Sequence, residues 1–304
     1  MARPGTPGSP LRVAIIGSGP AAFYTADHLL RREGLAVEID MIERLPTPFG
    51  LVRGGVAPDH QKIKSVTATF DKVAADPRFR FYGYVEFGKD VTPADLREHY
   101  HQIVYATGAQ TDRRMGIPGE DLRGSHPATE FVAWYNGHPD FQDLEFDLQQ
   151  ERVAVVGVGN VAVDVARILC RTPGELATTD ISDRALAALR QSRVKEVYML
   201  GRRGPAQAAF TNPEIKELGE LAGADIVVLP EEVQLDELSR AALERSQDRA
   251  AQKKVEILQE YAQRKPSGKG RRLILRFLVS PVELIGNAAG QIVGMRLVKN
   301  ELQA

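Results

Sequence analysis

Two glycine-rich segments of the sequence have the residue types and spacing that can bind a pyrophosphate group. In such a segment the first glycine permits a tight turn, the second lets a phosphate approach the backbone, and a small residue keeps the next helix close to its strand. A helix that starts there offers free N–H groups and the positive end of its dipole. The alternative is a tight turn that binds nothing, since single matches also occur by chance. The two segments are Gly17-Ser18-Gly19-Pro20-Ala21-Ala22 and Gly157-Val158-Gly159-Asn160-Val161-Ala162.

The charges that follow the next apolar run differ in sign between the two segments. Glu43 closes the run Val37–Ile42, and a carboxylate there accepts hydrogen bonds from the two hydroxyls of an adenosine ribose but repels a 2′-phosphate. Arg202 and Arg203 follow the run Glu196–Leu200, and guanidinium groups pair well with a phosphate dianion. The sequence therefore predicts an unphosphorylated dinucleotide at the first turn and NADP(H) at the second. The alternative for the arginine pair is a solvated basic loop.

Each turn lies between an apolar run and a helical pattern, which are the elements that must position it. The apolar runs are Leu11–Ile16 and Arg152–Val156, and the helical spacing of apolar residues continues to Leu30 and Leu169. Strand, turn and helix in this order predict an α/β fold with two Rossmann-like, three-layer domains. We assign residues 1–10 to a flexible tail, 11–108 to the domain of the first turn, which would bind the unphosphorylated dinucleotide, and 109–304 to an NADP-binding domain.

Patterns away from the turns predict further elements. The sequence predicts a helix over Gln61–Ala75 and a long charged helix over Asp236–Arg264. Near the end of the sequence, alternating apolar residues predict antiparallel strands at Leu273–Val279, Val282–Ile285 and Ile292–Val298. The second domain is therefore expected to end in antiparallel strands.

Composition and charge exclude several classes of function. The 39 Lys and Arg residues nearly balance the 40 Asp and Glu residues, for a net charge of −1, which argues against a surface that binds nucleic acid. No apolar run approaches the roughly 20 residues of a membrane span, and residues 1–10 resemble neither a signal peptide nor a transit peptide. We therefore expect a cytoplasmic protein with no membrane insertion.

The single cysteine excludes dithiol redox chemistry and cysteine-rich metal sites. Cys170 lies in an apolar helical stretch and has no second thiol to pair with. We predict that it is a small buried hydrophobic residue. His99 and His101 lack the helical spacing of metal ligands, and we expect no metal site.

Two dinucleotides on one chain are explained if one of them is FAD. NADPH delivers two electrons as a hydride, whereas a flavin accepts a hydride and releases electrons singly. Without a thiol pair, the electrons must leave to an outside acceptor such as an iron–sulfur protein, a quinone or oxygen.

Further segments complete the pattern of a known flavoprotein family. They are Pro48-Phe49-Gly50-Leu51-Val52-Arg53-Gly54-Gly55-Val56-Ala57-Pro58-Asp59-His60, Ala106-Thr107-Gly108, Gly201-Arg202-Arg203-Gly204-Pro205 and Phe210-Thr211-Asn212-Pro213-Glu214. With these segments the chain resembles the adrenodoxin-reductase-type ferredoxin–NADP⁺ reductases, within the glutathione-reductase-like flavoprotein superfamily. It departs from the family at Ala22, where glycine is usual.

The resemblance implies a role for each matching residue. On the FAD side it implies contacts from Gly17, Gly19, Ala21, Ala22, Glu43, Leu51, Val85, Thr107 and Gly108. On the NADP(H) side it implies contacts from Gly157, Val158, Gly159, Asn160, Val161, Arg202, Arg203 and Glu214. His60 and Glu214 match a polar pair near the junction of flavin and nicotinamide, where they would position the nicotinamide or relay protons. The alternative is that both are ordinary helix-start residues, with His60 beside a capping Asp59 and Glu214 in a first turn.

The resemblance also implies an activity and a partner. NADPH would reduce FAD, and single electrons would pass to a small, acidic iron–sulfur protein of the ferredoxin type, docked on basic residues such as those within Arg193–Arg203 and Lys265–Arg272. Family members continue beyond the position of Ala304 and return to the FAD domain, so we expect an incomplete first domain and weakened FAD retention. Two alternatives stay open: a truncated, non-catalytic NADP(H)-binding protein, and an NADPH-oxidising reductase subunit related to the glutamate synthase small subunit.

Overall fold

Parallel strands linked by helices make up both parts of the chain. The computed structural model describes residues 3–109 and 111–303, and the chain divides into two units, Met1–Thr111 and Asp112–Ala304. Each unit has its own parallel sheet and its own hydrophobic core.

The first unit is built on one parallel sheet. Its strands are β1 (Leu11–Ile16), β2 (Val37–Glu43), β3 (Phe79–Gly83) and β4 (Gln102–Tyr105). Its helices are α1 (Pro20–Leu30), α2 (Leu51–Gly54), α3 (Gln61–Lys64), α4 (Thr67–Ala74) and α5 (Pro93–His99). The strand order is β3-β2-β1-β4, which places β1 and the turn that follows it in the middle of the sheet.

Alternating residues of β1 explain why helices cover both faces of this sheet. Val13 and Ile15 share one core with Phe23 of α1, whereas Ala14 shares the core of the opposite face with Leu96 of α5. Because successive side chains of a strand point to opposite faces, one short apolar run supports a three-layer unit.

The second unit has a parallel sheet followed by an antiparallel hairpin. Its strands are β5 (Arg152–Val156), β6 (Glu196–Leu200), β7 (Ala224–Val228), β8 (Arg271–Arg276), β9 (Val279–Gly286) and β10 (Ile292–Lys299). Its helices are α6 (Ala128–Tyr135), α7 (Asn160–Cys170), α8 (Pro173–Leu176), α9 (Asp183–Arg190), α10 (Asn212–Leu218), α11 (Glu237–Ser246) and α12 (Arg249–Gln263). The sheet order is β5-β6-β8-β7, and β9 pairs with β10.

The core of the second unit joins α7 to the strands of its sheet. Val163 and Ala166 of α7 share this core with Val155 of β5, Val197 of β6 and Leu273 of β8. The spacing of three residues places Val163 and Ala166 on one helix face. The two parallel sheets with their helices confirm the predicted α/β fold of two Rossmann-like units.

The direction of β8 is opposite to our prediction. The segment Leu273–Val279 was expected to be antiparallel, but β8 runs parallel to both β6 and β7, with Leu273 opposite Val197 and Ile226. Apolar residues recur in the same way in parallel and antiparallel strands, so distant partners decide the direction. The pairing of β9 with β10 is antiparallel, as predicted.

Both predicted long helices are interrupted. The segment Asp236–Arg264 contains α11 and α12, which are separated at Gln247, where φ is +50°. Asp248 then accepts hydrogen bonds from the first N–H groups of α12, and an N-cap of this kind starts a new helix. The segment Gln61–Ala75 likewise contains α3 and α4.

The segment before β1 differs from the flexible tail that we predicted. The carbonyl of Gly5 accepts a 3.0 Å hydrogen bond from Ala36, whose own carbonyl accepts one from Leu11 at 2.8 Å. A bridge joins Thr6 to Ser9. Backbone hydrogen bonds thus hold residues 3–10 to the unit, while residues 1 and 2 of the predicted tail lie outside the described residues.

The division between the units falls after Thr111, close to the boundary predicted after Gly108. Residue 110 of the connector lies outside the described residues. None of the described helices is both long enough and apolar enough to cross a bilayer.

Candidate functional site

The first glycine-rich turn joins β1 to α1 and requires glycine at its first position. Gly17 has a φ of +98°, and its N–H donates a 2.8 Å hydrogen bond to the carbonyl of Ile42. A Cβ at Gly17 would lie 2.5 Å from the carbonyl oxygen of Ala106. Both the backbone angle and the close approach exclude a side chain here, so the turn is held between the ends of β1, β2 and β4.

Space for a phosphate lies at the second glycine of this turn. Gly19 is the N-cap of α1, and no side chain of the described residues caps this helix. Apart from its chain neighbours, no described heavy atom lies within 4 Å of a Cβ built on Gly19. Ala21 is exposed beside this space, whereas Ala22 is fully buried and keeps α1 close to the sheet. The N-terminus of α1 is therefore open to an anion.

Glu43 holds the turn as well as marking the predicted ribose site. Its Oε2 accepts hydrogen bonds from the N–H of Ser18 at 3.1 Å and from the Ser18 Oγ at 2.7 Å. Its Oε1 accepts one from the N–H of Leu45 at 3.0 Å. An ionised carboxylate has about four acceptor positions, so capacity for a ribose hydroxyl remains. The sequence analysis did not predict this role of Ser18. The signal was its hydroxyl group, which lies between the two glycines of the turn.

Phe49 and Gly50, which directly precede α2, lie against the first glycine-rich turn. The N–H of Phe49 donates a 2.9 Å hydrogen bond to the carbonyl of Ser18, and a Cβ at Gly50 would lie 2.8 Å from the Cα of Gly19. Phe49 has a φ of +91°, which is rare and strained for a non-glycine residue. Leu51 begins α2 and is 61% exposed. The structure thus brings Leu51 and Gly19 to the same end of the sheet.

Val85, Thr107 and Gly108 also lie at this end of the sheet. The N–H of Val85 donates a 2.9 Å hydrogen bond to the carbonyl of Glu43. The Cα of Thr107 lies 3.2 Å from the position of a Cβ on Gly17. Gly108 has a φ of +70°, and no described atom occupies the place of its missing side chain. The residues predicted on the FAD side of the first unit therefore cluster around one turn.

His60 lies in the first unit at the start of α3, and its predicted partner Glu214 lies in the second unit. His60 is buried, and its N–H donates a 3.0 Å hydrogen bond to the carbonyl of Ala57. It occupies the N-cap of α3, and its own side chain makes no capping hydrogen bond there. The capping alternative for Asp59 and a role for His60 beside a nicotinamide both stay predictions.

The second glycine-rich turn joins β5 to α7 and repeats the geometry of the first. Gly157 has a φ of +137°, and its N–H donates a 2.9 Å hydrogen bond to the carbonyl of Leu200. Gly159 is the N-cap of α7, which no side chain caps in the described part of the chain. A Cβ on Gly159 would meet no described atom within 4 Å beyond its chain neighbours, and Ala162 is small enough to approach Gly157. Val161 is 54% exposed, so this helix start is also open to an anion.

Hydrogen bonds tie the second turn to the segment before α10. The carbonyl of Val158 accepts from the N–H groups of Ala209 at 2.9 Å and Phe210 at 3.0 Å. The Oδ1 of Asn160 accepts from the N–H of Thr211 at 3.0 Å. The second turn therefore also positions the start of α10.

Arg202 and Arg203 follow β6 at the end of the sheet where the second turn lies. Both are exposed, and among the described residues neither guanidinium has a hydrogen bond or ion pair. Their backbone is held, because Asn300 Nδ2 donates to the carbonyl of Arg202 at 2.8 Å and the Leu278 N–H donates to that of Arg203 at 3.1 Å. Two cations on a fixed backbone suit a phosphate. Sequence reasoning missed Asn300, which no local pattern connects to the arginine pair.

Glu214 is the third residue of α10 and is 8% exposed. Its Oε2 accepts a 3.4 Å hydrogen bond from Nη1 of Arg167, which is fully buried in α7. Arg167 Nη2 also donates to Oδ1 of Asp164 at 2.7 Å, and Glu217 Oε2 lies 3.9 Å from Nη1. Sequence reasoning missed Arg167 and Asp164. The signal that could have found them is a pair of opposite charges three residues apart in an apolar helix.

The basic residues expected to dock an acidic partner fall into two groups. Because β6 and β8 run in the same direction, Arg193 and Lys195 lie before β6 at the same end of the sheet as Lys269 before β8. Arg202 and Arg203 follow β6 at the opposite end. The candidate basic residues are therefore divided between the two ends of one sheet, and a docking face formed by either group stays a prediction.

Cys170 is fully buried at the end of α7, and this burial raises the pKa of its thiol to about 12. It is the small buried residue that we predicted.

The Nδ1 of His101 accepts a 2.9 Å hydrogen bond from the N–H of Arg12. This ring nitrogen therefore joins the residue before β4 to β1.

Both glycine-rich turns fall in a region shared with known proteins. The family pattern described as pyridine nucleotide-disulphide oxidoreductase matches residues 11–200. This region runs from the first residue of β1 to the last residue of β6.

Longer similarities reach most of the chain. The NADPH-ferredoxin reductase FprA of Mycobacterium tuberculosis is 48% identical over 298 residues, which are 96% of this chain and 64% of that protein. The mitochondrial NADPH:adrenodoxin oxidoreductase of Arabidopsis thaliana is 54% identical over 211 residues, which are 69% of this chain and 43% of that protein. This chain thus spans less than two thirds of the length of these relatives.

A solved structure of the Mycobacterium tuberculosis FprA in complex with NADPH is similar over 97% of this chain and 65% of that one. The TM-score is 0.91 and the sequence identity is 48%. These similarities confirm the resemblance to ferredoxin–NADP⁺ reductases that the motifs predict.

Proposed function

This chain belongs to the pyridine nucleotide-disulphide oxidoreductase family, and we propose that it is an NADPH-dependent flavoprotein oxidoreductase of the ferredoxin–NADP⁺ reductase type. In this proposal it transfers a hydride from NADPH to FAD and then single electrons to a ferredoxin-like iron–sulfur protein. When bound, FAD would supply the change from two-electron to one-electron chemistry. The observation that carries the proposal is the pair of open glycine-rich turns, one backed by Glu43 and the other by Arg202 and Arg203.

The first turn fits a dinucleotide whose ribose carries no phosphate. Gly19 leaves space at the N-terminus of α1, where a pyrophosphate would be stabilised by N–H groups and the helix dipole. Glu43 would accept a ribose hydroxyl and repel a 2′-phosphate. We assign FAD to this turn, with contacts from Gly17, Gly19, Ala21, Ala22, Glu43, Leu51, Val85, Thr107 and Gly108.

The second turn fits a dinucleotide whose ribose carries a phosphate. Gly159 leaves space at the N-terminus of α7, and Arg202 and Arg203 are exposed on a backbone that Leu278, just before β9, and Asn300, just after β10, hold by hydrogen bonds. No carboxylate takes the place that Glu43 has in the first unit, because arginine follows β6 directly after Gly201. We assign NADP(H) to this turn, with contacts from Gly157, Val158, Gly159, Asn160, Val161, Arg202, Arg203 and Glu214.

We assign the chemistry at the nicotinamide to His60 and Glu214. Glu214 is held as one partner of a buried arginine, so its carboxylate can accept a hydrogen bond in a fixed direction. An imidazole is the side chain best suited to exchange protons near neutral pH, and His60 would do so directly or through water.

The proposed partner is an acidic iron–sulfur protein of the ferredoxin type, and the proposed location is the cytoplasm. Electrostatic complementarity would speed the encounter of such a partner with basic side chains. The lone cysteine is buried and unpaired, which suits a reducing compartment.

Nucleotide preference tests the assignment of the second turn. We expect the chain to bind NADP⁺ more tightly than NAD⁺, and the double variant Arg202→Ala/Arg203→Ala to lose about 100-fold in NADP⁺ affinity, since two charge-assisted hydrogen bonds are removed. Affinity for NAD⁺ should stay unchanged. The matched control is Arg193→Ala/Lys195→Ala at the other end of β6, which should change neither affinity. A preference for NADP⁺ that survives the Arg202/Arg203 change would contradict the assignment.

Flavin spectroscopy tests the electron-transfer step. The chain is incubated with FAD, freed of excess flavin and titrated with NADPH without oxygen, and then mixed with an oxidised [2Fe–2S] ferredoxin. We expect the flavin absorbance to bleach with NADPH and the ferredoxin to be reduced. Binding of NADP⁺ without any flavin bleaching would instead support the non-catalytic NADP(H)-binding protein.

A further inference from the structure

A fully buried arginine links the helix of the second turn to Glu214. Arg167 lies on α7 and its side chain has no exposed surface. It donates to Asp164 at 2.7 Å and to Glu214 at 3.4 Å. A buried charge needs partners that satisfy it, and the planar guanidinium fork can hold two carboxylates in fixed directions.

Helix α7 thus contacts the start of α10 at two levels. Asn160, the first residue of α7, binds the N–H of Thr211 at 3.0 Å, and Arg167, about two helical turns later, binds Glu214. Thr211 is the N-cap of α10 and Glu214 its third residue. The helix that offers its N-terminus to a pyrophosphate therefore also sets the place of the Glu214 carboxylate.

We propose that Arg167 is a positioning residue for the nicotinamide half of NADP(H) and acts through Glu214. The inference rests on the proposed function, in which Glu214 lies on the nicotinamide side of the bound nucleotide. Arg167 holds the Glu214 carboxylate by its charge and its hydrogen bond, while Asp164 orients the guanidinium. A carboxylate fixed before binding can accept an N–H of the nicotinamide amide without a further ordering cost.

Comparing the binding of two ligands distinguishes a positioning role of Arg167 from general damage to the nucleotide site. NADP⁺ contains the nicotinamide, whereas adenosine 2′,5′-bisphosphate contains only the adenosine half with its 2′-phosphate. We expect Arg167→Met to weaken NADP⁺ binding about tenfold and to leave bisphosphate binding within about twofold, as loss of one charge-assisted hydrogen bond predicts. Calorimetry on the full chain measures both affinities without any redox step. Glu214→Gln should give the same pattern.

The control and the double variant make the test specific. Arg171 directly follows the last residue of α7 and pairs with Glu175 at 3.0 Å, so Arg171→Met should change neither affinity. Arg167→Met added to Glu214→Gln should give no further loss, because both remove the same contact. If Arg167→Met does not fold, Arg167→Lys keeps the charge without the fork, and it should weaken NADP⁺ selectively.

The outcomes distinguish the inference from the function on which it rests. Equal losses for both ligands, or unchanged NADP⁺ binding in every Arg167 variant, would overturn the positioning role. Additive losses in the double variant would do the same. A wild-type chain that binds neither ligand would overturn the proposed NADP(H) site, and the inference with it.

Discussion

The side-chain amide of Asn300 donates a 2.8 Å hydrogen bond to the carbonyl oxygen of Arg202, 98 positions earlier in the chain. The same nitrogen also donates to the Oγ of Ser280 at 2.8 Å. Asn300 follows β10, and Ser280 lies in β9. The antiparallel hairpin at the end of the second unit therefore holds the backbone that presents the arginine pair.

Asn300 is expected to tune the preference between the two nicotinamide dinucleotides. Asn300→Ala removes the side chain that holds Arg202, and we expect the ratio of NADP⁺ to NAD⁺ affinity to fall about fivefold, as loss of one hydrogen bond predicts. Calorimetric titration with each nucleotide measures the ratio. Lys299→Ala, an exposed neighbour on β10, should leave the ratio unchanged. Equal weakening of both nucleotides by Asn300→Ala would show that the hydrogen bond does not act on the phosphate.

The two glycines of the first turn are expected to respond differently to alanine. A Cβ at Gly17 meets the Ala106 carbonyl at 2.5 Å with φ at +98°, so Gly17→Ala should lower the free energy of unfolding by about 2 kcal/mol or more. At Gly19, φ is −78° and a Cβ has open space among the described atoms. Gly19→Ala should therefore change stability by less than about 0.5 kcal/mol but weaken FAD binding, because the methyl group occupies the approach of the phosphate. Thermal unfolding and FAD titration check the pair, and a Gly19→Ala protein that binds FAD normally would place the phosphate elsewhere.

The buried thiol is expected to be inert while the protein is folded. Cys170 has no exposed surface, and its pKa is raised to about 12 by burial, so at pH 8 almost no reactive thiolate is present. Iodoacetamide should leave the folded chain unmodified and alkylate the unfolded chain once, as mass spectrometry can show. Because the sequence has one cysteine, any added carbamidomethyl group can be attributed to Cys170 directly from the mass. Rapid alkylation of the folded chain would mean that α7 opens readily at its end.

The stability of the second unit is expected to depend on pH through Asp225. Its carboxylate accepts hydrogen bonds from the hydroxyl of Ser267 at 2.7 Å and from the N–H groups of Gly268 and Lys269 at 2.9 and 3.0 Å. These bonds, with that of Ser267 first, lower the pKa of Asp225 from 3.8 to about 2. A carboxyl whose pKa is lower in the folded state stabilises it above its ordinary pKa, and the contribution is lost as the pH falls toward the folded value.

Asp225→Asn should therefore lower the free energy of unfolding by about 1 kcal/mol at pH 7. The difference in unfolding free energy between this variant and wild type should shrink between pH 4 and pH 2. Urea unfolding can be followed by the fluorescence of Trp134, the single tryptophan, which is buried in the second unit. Glu244→Gln, at an exposed position of α11, is the matched control and should show no such change. A difference that stays constant down to pH 2 would assign the effect to packing instead of charge.

The two turns can be predicted from the sequence because what they need is local. A positive φ at Gly17 and Gly157 and a helix that starts three residues later involve only neighbours along the chain. The sign of the charge at the end of β2 and after β6 can also be predicted, since Glu43 and Arg202 follow apolar runs of strand length. The direction of β8 could not be read in the same way, because its alternation fits either direction and its partners lie far away in the chain.

The amino-acid sequence by itself is thus enough to establish two strand–turn–helix units, the contrast between Glu43 and the arginine pair, and the family resemblance. Folding establishes what holds them: Glu43 is tied to Ser18, Glu214 to Arg167 and Arg202 to Asn300. These pairs are 25, 47 and 98 positions apart. Local propensity and periodicity act over a few residues, whereas such contacts form only when separate strands and helices pack, so no spacing along the chain encodes them.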